Sequence, residues 1–416
     1  MSLTQPNLSS PDAWTLDRLL SSDSHIIEPP DLWASRVPRN WKERVPRVAR
    51  IDGTDWWVYD GRRIGSISGR KRRSGSVRSG ETVESRGAVL THSVFENVIP
   101  AAYTPDLYLQ TNLDDGVVGM VVRPTQGITN YAIAEAEIFG HICRAYNDWM
   151  AEFCSVSPQN LKGVAMLNNY DPEDAVLELE RCKRLGFAGG IISVYPGREQ
   201  HYGQARYERL WATAASHEFP LSLHVLTNHN GPYGVPFDQV DYSLRANADY
   251  WVRMSLSDMI FNGVFDRYPR LRIESSEHEA AWIPYFRWQL DWIYEHRILK
   301  RRQSAKLQRP PSAYLSENVF VSIIYDNLAI AQHELIGADR MMWGSDFPHE
   351  QSTHPHSLEA ANTLLAELDR NDAEQIAFGT TAKLYGFDLD HPKLQSPRAG
   401  NRVAPHRHTE RDTIPC

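Results

Sequence analysis

Short apolar, β-branched runs alternate along most of the chain with longer segments of helical period, and the alternation itself is the first structural signal. Eight runs read as strands: Arg18–Ser22, Gly119–Arg123, Leu161–Ala165, Gly190–Val194, Leu221–Val225, Leu271–Glu274, Val319–Ile323 and Met341–Trp343. An amphipathic helix is clearest where Ala132, Ala136, Phe139, Cys143, Tyr146, Met150 and Phe153 recur at spacings of four and three, which lines one face with apolar side chains. A second helix is predicted over Pro172–Leu185, with Asp171 as N-cap, Ala175, Leu179 and Cys182 as its stripe, and Gly186 closing it. Strands and helices in this order predict an α/β protein with a parallel sheet closed as a (β/α)8 TIM barrel. An open doubly wound sheet has the same local pattern, but no Gly-x-Gly-x-x-Gly or P-loop sequence follows any strand, so the barrel is the preferred reading.

Around the barrel, assigned to residues 18–388, the pattern fades in three places. Residues 1–17 read as a polar N-terminal tail and 389–416 as a disordered C-terminal tail. Residues 26–110 form an insertion after the first strand. Within it, the stretch 61–80 holds Arg62, Arg63, Arg70, Lys71, Arg72, Arg73 and Arg78 with no acid. That stretch reads as a mobile surface loop or as a contact for an anionic substrate tail or partner.

Composition narrows the function classes. With 44 Lys+Arg against 52 Asp+Glu the formal charge is −8, so no global positive field exists to hold nucleic acid or anionic lipid. No stretch approaches the roughly 20 apolar residues that span a bilayer, and the start of the chain lacks the cationic and apolar regions of a signal peptide. Cys143, Cys154, Cys182 and Cys416 show no CxxC spacing, which fits a reducing compartment. These features predict a cytoplasmic protein that acts on a small molecule.

Reactive side chains collect where a barrel would converge them, at the carboxyl ends of strands. Asp23 and His25 follow the first strand two residues apart and project to the same side of an extended chain. His224 ends the fifth, Glu277-His278-Glu279 follows the sixth, and Asp346 and His349 follow the eighth. Imidazole and carboxylate suit Zn2+, Mn2+, Fe2+ or Co2+ with a coordination position left open. Each element alone is weak, since Asp-Ser-His commonly forms a turn or cap and a lone buried histidine is commonly a hydrogen-bonded core residue. The coincidence of register is what supports a metal site.

These residues also carry a resemblance. Ser-Asp-Ser-His-Ile-Ile-Glu-Pro at 22–29, Glu-His-Glu-Ala-Ala-Trp-Ile-Pro at 277–284 and Trp-Gly-Ser-Asp-Phe-Pro-His at 343–349 are its most specific pieces. Tyr-Asn-Asp-Trp at 146–149, Pro-Leu-Ser-Leu-His at 220–224 and Gly-Val-Phe-Asp-Arg-Tyr-Pro-Arg-Leu at 263–271 support them. Over about residues 20–387 the chain resembles the amidohydrolase superfamily, in the amidohydrolase-related (amidohydrolase 2) branch that includes aminocarboxymuconate-semialdehyde decarboxylase and γ-resorcylate decarboxylase. The resemblance implies metal ligands at Asp23, His25, His224 and Asp346, with Asp346 also exchanging a proton and His278 acting as proton donor or base. It also implies that a homodimer is common among relatives. Asp23 departs from the His-x-His pair of the superfamily; a carboxylate there favours a harder metal such as Mn2+ or iron over Zn2+.

The acids Glu28, Glu277 and Glu279, with His349, stand as ligands of a second metal or as residues orienting the first. For Glu277 the orienting reading rests on strand alternation, which turns the neighbours of His278 to the opposite side. Arg123 is the candidate clamp for a substrate carboxylate, against a purely structural role inside the barrel, and Trp56, Trp57 and Trp282 are candidate pocket walls. The expected chemistry is metal-dependent decarboxylation or hydrolysis of a small carboxylic or cyclic substrate. The alternative is a dinuclear non-heme iron monooxygenase, which would draw electrons from a reductase and ferredoxin because the chain has no flavin or nicotinamide fingerprint.

Overall fold

The computed structural model describes residues 14–67, 94–296 and 306–395. All eight predicted runs are strands of one parallel sheet: β1 (Leu19–His25), β5 (Val117–Arg123), β6 (Leu161–Met166), β7 (Gly189–Ile192), β8 (Leu221–His224), β9 (Ile273–Ser276), β10 (Val319–Ile323) and β11 (Met341–Trp343), paired in that order. Nearly every residue of these strands is buried, as expected where both faces of a parallel sheet are covered. The sheet closes where β11 meets β1. The Asp346 amide donates to the Asp23 carbonyl at 2.9 Å and the His25 amide to the Phe347 carbonyl at 2.6 Å, while Ser22 Oγ donates to the Trp343 carbonyl at 3.1 Å.

Helices coat the outside. The stripe that predicted the first of them falls on Ala136–Cys154, whose Phe139, Cys143, Tyr146, Met150 and Phe153 are buried against the sheet. The second runs over Pro172–Arg184, and the Asp171 carboxylate accepts from the Glu173 and Asp174 amides as the predicted N-cap. No helix among the described residues is long and apolar enough to cross a membrane.

The insertion holds structure that strand and helix periodicity missed, a three-stranded antiparallel ribbon of β2 (Arg47–Ile51), β3 (Thr54–Tyr59) and β4 (Arg62–Ser66). Its strands are short and half-exposed, so the alternation is diluted, but two turns announced it. Asp52-Gly53 and Asp60-Gly61 each place both residues at positive φ, the geometry of a two-residue hairpin turn that Asp-Gly favours. Trp57 anchors the ribbon edge-on against Trp33, ring centroids 4.9 Å apart. The first part of the basic stretch is therefore strand, and Arg70, Lys71, Arg72, Arg73 and Arg78 lie outside the described residues. Residues 389–395, expected in the C-terminal tail, pack against the barrel: Leu394 is buried, and Arg18 donates to the Leu394 carbonyl at 2.8 Å; residues 396–416 lie outside the described residues.

A charged network lies inside the barrel. Arg123, at the end of β5, is wholly buried; its Nε sits 2.9 Å from Asp23 Oδ1, and its terminal nitrogens donate to Glu274 Oε2 at 2.6 Å, the Ser22 carbonyl at 2.9 Å and Ser222 Oγ at 3.0 Å. Removing one member of such a set leaves the others buried and uncompensated. Arg123→Met is therefore expected to lower stability by about 3–5 kcal/mol, read as a lower urea midpoint at unchanged slope; a loss below about 1 kcal/mol, the scale of an exposed pair, would show that the network is not structural.

Candidate metal centre

Four ligand atoms from three strand ends meet at the carboxyl end of the barrel. Asp23, His25, His224 and Glu277 each offer one atom, all within 4.8 Å of one another. His25 Nε2 lies 3.2 Å from Asp23 Oδ1 and 3.2 Å from Glu277 Oε1; His224 Nε2 lies 3.7 Å from Asp23 Oδ1 and 3.8 Å from Glu277 Oε1. The β1 register slips between Ser21 and Ser24, so the Asp23 segment bulges inward. Gly344 makes room for it: a Cβ there would stand 2.9 Å from Asp23 Cβ.

The histidines are oriented for coordination. His25 Nδ1 is 2.7 Å from the Pro124 carbonyl and His224 Nδ1 is 3.0 Å from the Val225 carbonyl. A carbonyl only accepts, so each Nδ1 carries the proton and each Nε2 presents a lone pair to the cluster. Those two Nε2 atoms, Asp23 Oδ2 and Glu277 Oε1 are buried without a hydrogen-bond partner, and Asp23 Oδ1 is met from behind by the Arg123 guanidinium. Orphaned acceptors converging from separate elements are costly unless a cation satisfies them all, and the mixed imidazole and carboxylate set fits a divalent metal. Charges respond accordingly. Burial opposes ionisation of Asp23, yet Arg123 and the two histidines hold its carboxyl well below the usual range. Burial likewise opposes a charge on His25, but Asp23 and Glu277 raise it well above an ordinary histidine, so without an ion a proton sits on Nε2 where a cation would displace it.

Glu277 was expected either as a ligand of a second metal or as a residue orienting the first from the far side of the strand, and the structure corrects the second of these readings. It has φ 59°, outside the strand conformation, so alternation does not apply and its carboxylate turns into the cluster. Asp346, also at positive φ (53°), joins a second group with His25, Glu277 and His349 and lies 3.7 Å from His25 Nε2. Burial pushes the Asp346 carboxyl up to about 7. His349 Nδ1 is 2.6 Å from Asp346 Oδ1 and its Nε2 is 2.8 Å from Thr125 Oγ1, so it braces the acid against the loop after β5.

His278 is buried beside the cluster with Nδ1 3.0 Å from Ser275 Oγ and Nε2 unpartnered. Burial, reinforced by His224, depresses it to about 3, so it is neutral. The remaining candidates are placed elsewhere. Glu28 accepts from the Thr125, Gln126 and Gly127 amides at 3.1, 2.9 and 2.9 Å and fixes the loop after β5. Glu279 accepts from the Ile324 amide at 3.2 Å beyond the end of β10. Neither acid belongs to either group of converging ligand atoms. Arg123 is corrected as well. Its nitrogens are engaged inside the barrel, so it positions Asp23 and does not reach a substrate carboxylate. Trp57 packs in the core and the Trp282 indole donates to the Glu279 carbonyl at 3.0 Å; neither of them, nor Trp56, is in the wall of the cavity described below.

Comparison with known proteins agrees with this architecture. The profile described as Amidohydrolase matches residues 122–387. A γ-resorcylate decarboxylase of Polaromonas sp. strain JS666 is 28% identical over 270 residues, 61% of this chain and 79% of the relative. The crystal structure of an amidohydrolase from Mycobacterium avium subsp. paratuberculosis K-10 aligns with TM-score 0.72 at 18% identity, over 90% of this chain and 99% of the other. A dihydroxybenzoic acid decarboxylase from Polaromonas sp. JS666, with bound manganese and the inhibitor 2-nitroresorcinol, aligns with TM-score 0.59 at 19% identity, over 91% and 99%. Asp23 and His25 precede the matched residues, and the closure of β1 against β11 brings them to the ligands that lie within the match. By that match, which spans more than half of its length, the chain belongs to the amidohydrolase family.

Proposed function

We propose that this chain is a divalent-metal-dependent decarboxylase acting on a small hydroxylated aromatic carboxylic acid, with Mn2+ as the preferred ion. The observation that carries the reading is the convergence of Asp23, His25, His224 and Glu277, their ligand atoms buried and unpartnered, next to the buried acid Asp346 and the neutral His278. The decarboxylases among its relatives support this chemistry over hydrolysis. Nothing in the comparisons supports the oxygenase alternative.

A divalent ion at these ligands would supply Lewis acidity toward neighbouring hydroxyl and carboxylate oxygens of the substrate. The side chains supply the proton traffic. Asp346, held through His349 to Thr125, delivers a proton to the ring carbon that bears the carboxylate. As that C–H bond forms the C–C bond breaks, its electron pair stays with the ring, and carbon dioxide leaves. His278, neutral with a free Nε2, accepts a hydrogen bond from the substrate hydroxyl, and Asp346 regains its proton from solvent after carbon dioxide leaves.

The insertion and the loops that follow β5 and β8 enclose a cavity of about 650 Å³ lined by Tyr59, Arg62, Arg63, Thr129, Glu135 and Phe237, among others, which we take as the approach to the centre, since no cluster residue is in its wall. Its size is that of a small-molecule site. Its wall carries Arg62 and Arg63 beside the acids Asp60, Glu135 and Asp238, so it has no net positive charge.

Elemental analysis of protein purified without chelators is expected to find about one divalent ion per chain, lost in His224→Ala and Glu277→Gln. Carbon dioxide release from 2,6-dihydroxybenzoate, tested first among hydroxybenzoates, is expected with Mn2+ restored. Asp346→Asn should retain metal and lose turnover by about 10²–10⁴-fold, as should His278→Asn. Turnover within about twofold of wild type in both variants, well short of a general acid–base contribution, would overturn the proton assignments.

A further inference from the structure

The opposite end of the barrel carries a second cavity, of about 620 Å³, at the amino ends of β6 to β10. Its wall contains Lys162, Lys183, Arg270, Arg272 and Lys383 against a single acid, Glu218. In a chain of net charge −8 this is a marked local reversal. Among the described residues, none of the five cations has a carboxylate oxygen within 4.0 Å. Lys162 and Lys183 lie instead over the Phe387 and Phe219 rings, and Arg272 donates to the Pro269 carbonyl at 2.9 Å. Lys162 and Arg272 are half-buried and Lys183, Arg270 and Lys383 are exposed, so repulsion among these unpaired cations is felt most by the first two, which water screens least. Burial, and then the charge of Lys183, lower the Lys162 ammonium; burial, and then Arg340, lower Arg272. A bound anion would relieve both effects.

We propose that this cleft is a binding site for a small organic anion carrying two phosphate groups, separate from the metal centre. The wall carries five cations, Lys162, Lys183, Arg270, Arg272 and Lys383, against Glu218, so two dianionic groups match the charge better than one. The volume suits a metabolite-sized ligand, and Phe187, Phe320 and Leu384 supply apolar wall for its carbon skeleton. Guanidinium groups suit phosphate geometry, with lysines adding point charge.

Calorimetric titration of the full-length, metal-loaded chain with fructose 1,6-bisphosphate, a weakly chelating probe, tests the site. Saturable binding is expected that weakens as salt is raised and that sulfate at matched ionic strength does not reproduce. Two double variants, Lys162→Gln with Arg272→Gln and the more exposed Lys183→Gln with Arg270→Gln, should each weaken it by about tenfold or more. His224→Ala, at the metal centre, should leave it unchanged. Absence of binding, equal competition by sulfate, binding that survives in both double variants, or binding lost with His224→Ala would each overturn the proposal.

Discussion

A guanidinium sealed inside a barrel must be neutralised where it lies, and Arg123 sets much of the rest of this molecule. It reaches Asp23 on β1, Ser222 on β8 and Glu274 on β9 from its own strand, so one side chain ties together elements from distant parts of the chain. Tyr385, from the helix that closes the barrel floor, donates to the same Glu274. A buried ion pair adds little net stability over a well-packed apolar core, but it tolerates few geometries. Here that strictness is passed on to Asp23, whose carboxylate is aimed at the cluster by the arginine behind it. The same strictness removes Arg123 from any part in holding substrate.

The second constraint is local backbone. Glu277 and Asp346 both leave their strands in the left-handed conformation, at φ 59° and 53°, where only glycine is at ease. Strain of this kind persists where the surroundings over-determine it. In both cases the conformation turns a carboxylate inward at the point where an extended chain would have carried it past. The acids then share a buried volume with His25 and His224, an arrangement that is repulsive among its own members and favourable around a cation.

Charge is also sorted along the barrel axis. Acids gather at the carboxyl ends of the strands, whereas the amino ends of β6 to β10 carry lysines and arginines. Since βα loops build the catalytic face and the opposite face ordinarily serves stability, a basic recess there with one acid in its wall is a departure from plain structural packing.

How much of this was legible in the sequence follows from range. Strand and helix periodicity act over a few residues, so all eight barrel strands, the Ala136–Cys154 stripe and the Asp171 cap were readable before any coordinates. That Asp23, His25 and His224 meet was readable too, because a barrel converts position at a strand end into convergence, whereas Asp346, expected as their fourth ligand, groups instead with His25, Glu277 and His349. The ribbon was legible only in its two Asp-Gly turns, because its strands lie half-exposed at the surface. What the tertiary structure alone decided were choices between partners. Glu277 became a cluster acid through a backbone angle, Glu28 and Glu279 were taken up by amides of other loops, and Arg123 was drawn inward by Asp23 and Glu274. Residue type and spacing determine what a side chain is able to bind, but which group reaches it is settled by contacts between residues far apart in the chain, such as the 151 positions that separate Arg123 from Glu274.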